Sequence, residues 1–153
     1  MITEDYVSFE TAKLLKEKGF DELCDKKYYG DDGSGPSYIR ERWEDGGDVS
    51  PMSNSNLDDG SKYADISTPT LQMAMKWLRE VHNLCLFVIP ATIDKTFRTG
   101  YALYPQCDSK WEWCASKNDR SKATFGFDIS GKYCDSYEEA VEEAIKYCLE
   151  NLI

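Results

Sequence analysis

His82 is the only histidine in the chain, and an imidazole changes charge near neutral pH, so it is the first candidate acid or base. It stands at the end of an apolar-periodic segment, where an imidazole can instead hydrogen-bond the last helical carbonyls, and the structural role is the stronger reading. A nucleophilic triad needs a base beside its nucleophile. No Ser or Cys motif brings one to His82. The acidic pairs Asp31-Asp32, Glu44-Asp45 and Asp58-Asp59 sit side by side among glycines rather than facing each other. They lack the alternating ligands and closing Glu of an EF-hand loop. GDDGSGP (30–36) lacks the Lys-Ser/Thr of a phosphate loop and the helix that should follow it. Cys107 and Cys114 have six residues between them, form no CxxC pair and have no neighbouring His, so the usual zinc spacings are missing. The expectation is a non-enzyme without cofactor or metal.

Residues 95–132 offer a different chemistry. Here Lys95, Arg98, Lys110, Lys117, Arg120, Lys122 and Lys132 outnumber Asp108, Glu112, Asp119 and Asp128. They alternate with Phe97, Tyr101, Tyr104, Trp111 and Trp113. Aromatic faces beside Arg and Lys could stack a base and hold a phosphate. The candidate ligand set is therefore Arg98, Tyr101, Tyr104, Trp111, Trp113, Arg120 and Lys122. Against it stands the reading in which the two tryptophans pack over a sheet edge while the lysines solvate a loop.

Elsewhere the balance is acidic, with 28 Asp and Glu against 18 Lys and Arg and a formal net charge of −10. Residues 1–68 carry sixteen acidic and eight basic side chains, and residues 69–153 carry twelve and ten. Such a field repels a phosphate backbone, which argues against direct nucleic-acid binding and for solubility or a basic protein partner. Asp31, Asp32, Glu44, Asp45, Asp58 and Asp59 are the candidate partner-binding residues.

The chain, 153 residues and 41% hydrophobic, suits one globular domain over 1–153 with a single core. It has no apolar run of the length that crosses a bilayer. Its N-terminus, MITEDYVSFETAKLL, lacks the basic and apolar regions of a secretory signal. The six cysteines then read as reduced thiols of a cytosolic protein, with Cys85 and Cys148 as small core residues.

The elements that must position these residues follow from periodicity and punctuation. Ser8 caps a first helix over about 9–18, and Gly19 with Phe20 closes it in a Schellman stop. CDKKYY (24–29) and SYIRERW (37–43) read as a hairpin. EDGGDVSPMSNSNLDDGSK (44–62) is a long polar loop, functional or mobile, anchored by Val49, Met52 and Leu57. Thr68 caps a second helix with Pro69 at its first position. Leu71, Ala74, Leu78 and Val81, flanked by Met75 and Trp77, give that helix its apolar face. Asn83 stops it, and Leu84–Ile89 is a strand covered on both faces. Residues 96–105 and 123–129 are further strands, the first placing Phe97, Thr99, Tyr101 and Leu103 on one face. Ser136 and Glu139 form a capping box for a last helix with the stripe Tyr137, Val141, Ala144, Ile145, Cys148 and Leu152. The expected fold is α+β, an antiparallel sheet with helices packed on one face, in the order α-(ββ)-α-β-β-β-α.

The closing α-β-β-β-α resembles the element order of double-stranded-RNA-binding domains, which use basic residues near the start of the last helix to contact phosphate. This chain has Ser136, Tyr137, Glu138 and Glu139 there, charges that contradict RNA binding. Three other stretches, VSFETAKLLKEKGFDE, NSNL…ISTPTLQMAMKWLREVHN and SYEEAVEEAIKYCLENL, resemble a group of short proteins, without assigned activity, that recur in bacteriophages and mobile elements of gut Bacteroidales. The resemblance implies a phage-encoded protein in the cytosol of a bacterial host, and by analogy one that blocks a host enzyme or defence system. The leading expectation is a non-enzymatic binding protein that engages a host or phage protein through an acidic surface. The alternative is a binder that sequesters a nucleotide or nucleotide-derived defence signal in the 95–132 sector.

Overall fold

Ser8 is extended (φ −64°, ψ 162°) and its Oγ accepts a hydrogen bond from the Thr11 amide, which opens helix α1 (Phe9–Glu17). The helix closes where Gly19 takes φ 89°. The Phe20 amide donates to the Leu15 carbonyl at 2.9 Å and the Gly19 amide to the Lys16 carbonyl at 3.1 Å. Both bonds of the expected Schellman stop are thus present, and Leu15 and Phe20 are buried beside it. The computed structural model describes residues 4–28, 39–41, 51–57, 60, 65–90, 97–103, 124–127 and 134–153. The chain is α+β and divides into two compact units, one formed by residues 1–74 with 149–153 and the other by 75–148. Among the described residues no helix is long and apolar enough to cross a membrane.

In the first unit β1 (Lys26–Tyr28) and β2 (Ile39–Glu41) form the expected hairpin, with Lys27 opposite Arg40. A short helix α2 (Asn54–Leu57) lies within the stretch expected to be an irregular loop. Strand β3 (Ile66–Thr68) was not expected at all. It pairs antiparallel with β1, so β1 is central in the order β2-β1-β3. All three β3 residues are buried, and α1 and α2 both pack on the strand. Residues 5–7 add a further clasp: the Val7 amide donates to the Pro69 carbonyl at 3.1 Å and the Leu71 amide to the Asp5 carbonyl at 2.9 Å.

Helix α3 (Leu71–His82) begins two residues later than expected, at Leu71 instead of Pro69. Thr70, not Thr68, supplies the capping oxygen, accepting from the Met73 amide at 3.2 Å. Thr68 is drawn into β3 because pairing with β1 satisfies its backbone, and Pro69 therefore precedes the helix instead of opening it. Leu71, Ala74, Trp77 and Leu78 are buried, but Val81, on the same angular stripe, is 55% exposed. The apolar face runs one turn past the atoms that cover it. Asn83 ends the helix at φ 56°, a left-handed conformation that Asn tolerates better than most residues.

The second unit holds a meander of β4 (Leu84–Pro90), β5 (Phe97–Leu103) and β6 (Thr124–Phe127), antiparallel throughout with β5 central. Gly100 stands opposite Phe87 on one side and Phe127 on the other. Leu84 is buried, but Cys85, Leu86, Phe87 and Val88 are only half-buried, so β4 is not covered on both faces as its unbroken apolar run suggested. It is an outer strand of an antiparallel meander, and such sheets are covered more on one face than the other.

The last helix, α4 (Tyr137–Asn151), opens on Ser136, whose Oγ accepts from the Glu139 amide at 3.0 Å. Glu139 reaches back to the Asp135 amide at 3.1 Å, one residue earlier than the usual reciprocal partner. Ala140, Val141, Ala144, Ile145, Cys148 and Leu149 are buried. Tyr137, expected in that stripe, is partly exposed and meets Phe97 edge-on with ring centres 6.1 Å apart.

Candidate functional site

Beyond the Schellman stop the chain makes a turn fixed at both ends and exposed between them. Phe20 is 1% exposed and Cys24 is 3% exposed, whereas Asp21, Glu22 and Leu23 between them, and Asp25 after them, are exposed. Leu23 shows 57% of its surface to solvent. A leucine in that state forfeits part of the roughly 1.5–3 kcal/mol that burial would contribute.

The fixing contacts come from the segment around α2. Asn54 is buried, and its Nδ2 donates to the Phe20 carbonyl at 2.7 Å while its Oδ1 accepts from the Ser67 amide at 3.0 Å. Asp21 accepts from the Ser55 amide at 2.6 Å and the Ser55 hydroxyl at 2.5 Å. Cys24 exchanges two backbone bonds with Met52, at 2.9 and 3.0 Å. The turn thus has little conformational freedom left to lose when something binds it, which is the advantage of preorganisation.

Its electrostatics are anionic. The Ser55 hydroxyl, then the Ser55 amide, hold the Asp21 carboxyl below its ordinary pKa of 3.8, so it is charged throughout the neutral range. Nearby, the Lys26 Nζ lies 4.2 Å from the centre of the Tyr6 ring, and Lys27 pairs with Asp65 at 2.9 Å. Lys18 donates to the Ile153 carbonyl.

The turn is poorly suited to nucleophilic chemistry. Burial pushes the Cys24 thiol up to about 11; the Ser67 hydroxyl opposes this and the Asp25 and Glu22 carboxylates reinforce it. At neutral pH it is a thiol, and the thiolate is the reactive form. Cys24, Cys85 and Cys148 are free thiols. His82 lies edge-on to Trp77, with ring centres 4.5 Å apart, at the end of α3 where the sequence placed it. Among the described residues no group of three or more His, Cys, Asp or Glu could hold a metal ion.

Of the proposed ligand set, Arg98 and Tyr101 lie on β5, where Arg98 pairs with Ile89 and Tyr101 with Leu86 and Gly126. Tyr104, Trp111, Trp113, Arg120 and Lys122 lie outside the described residues, as do the acidic candidates Asp31, Asp32, Glu44, Asp45, Asp58 and Asp59. The Phe20–Asp25 turn was missed. Its one local signal is Asp-Glu-Leu-Cys-Asp directly after a helix stop, a single apolar residue flanked by charge.

The chain matches no protein-family model, and neither a curated protein nor a solved structure matches it significantly.

Proposed function

We propose that this protein is a non-enzymatic, phage-encoded binding protein that works in the cytosol of a bacterial host. It engages a host protein through its acidic surface, with interference in host defence as the consequence. The phage origin and the cellular setting rest on the sequence resemblance, and the binding mode rests on the acidic turn. The observation that carries the reading is Leu23, an exposed leucine held between Asp21, Glu22 and Asp25 on a turn tied down by Asn54, Ser55 and Met52.

A turn of this kind supplies the two ingredients of recognition in one place. The carboxylates steer a basic partner and set orientation, which makes association fast and salt-sensitive. The leucine supplies apolar surface that gains energy only when a socket on the partner desolvates it. Tethering the protein and passing host lysate over it at low and moderate salt tests the reading. A specific partner should be retained, less strongly at the higher salt. It should be lost when Glu22→Lys and Leu23→Ser are combined in a variant whose circular dichroism is unchanged. Retention of no specific partner at either salt, or equal retention by the variant, would overturn it.

A further inference from the structure

We draw no further inference here: the strongest candidate, the half-buried apolar outer strand β4 of the second unit's meander, carries nothing because nothing in the structure shows what covers it.

Discussion

Asp21 accepts two hydrogen bonds from Ser55, one from its amide and one from its hydroxyl, and so joins the end of α1 to the start of α2 across 34 residues of sequence. Both bonds favour the ionised carboxylate and lower its pKa. Because the folded value lies below the unfolded one, the contribution is fully present above the unfolded carboxyl pKa. It is lost as pH falls through the folded value. Asp21→Asn is therefore expected to be less stable than the parent at pH 7 and indistinguishable from it once pH drops below both values. Urea unfolding at pH 7, 4 and 2.5 reads this. A gap that stays constant across the series would mean that the charge is irrelevant.

Asn54 satisfies two backbone groups with one buried amide. Asn54→Ala would strand the Phe20 carbonyl and the Ser67 amide, at about 1–3 kcal/mol for each unsatisfied group. The expected loss is about 2–6 kcal/mol in chemical denaturation. A change under about 0.5 kcal/mol would show that water or a shifted partner replaces the amide without difficulty.

Two threonines near the start of α3 provide a paired test. Thr70→Ala removes the cap on the Met73 amide and should cost about 1 kcal/mol. The Thr68 hydroxyl is fully buried, with no hydrogen-bond partner among the described residues. Thr68→Val keeps the shape and removes a desolvated polar atom, so it should be neutral or stabilising. The reverse ranking would move the cap back to Thr68 and dissolve β3.

The thiols should divide by burial. Cys148 is fully buried and its thiol is pushed up to about 12, and Cys24 to about 11, both chiefly by desolvation. Cys85 is half-buried; burial raises it and the nearby Arg79 pulls it back. Alkylation at pH 7.5 followed by peptide mass spectrometry should modify Cys85 well ahead of Cys24 and Cys148, with the difference erased in urea. Early labelling of Cys24 would contradict the closed underside of the acidic turn.

Much of the fold was legible wherever a side chain acts on its own neighbourhood. Ser8, the Gly19-Phe20 stop, Asn83 and Ser136 each bracket a helix through contacts within about one turn, and a linear reading finds them. Strands β1 and β2, and the three strands of the meander, could be read from their runs of apolar, aromatic and β-branched residues. Strand β3 was illegible because Ile66-Ser67-Thr68 carries capping residues, and only pairing with the distant Lys26–Tyr28 makes it a strand. The acidic turn failed for the same reason. Asp21 and Phe20 acquire their meaning from Ser55 and Asn54, both in a segment whose Gly, Ser, Asn and Asp content signalled an irregular loop. A buried asparagine that bridges two strangers leaves no periodic trace.

The first unit is interrupted in sequence, its residues 1–74 being completed by 149–153, with Leu149 fully buried. During biosynthesis the ribosome therefore delivers the second unit before it delivers the last piece of the first. Domains tend to fold as units as they emerge, so the first unit stays incomplete until the whole of the second has been made. A nascent chain arrested before Leu149 would lack the residues that complete the first unit, and would meet chaperones and proteases with that unit unfinished.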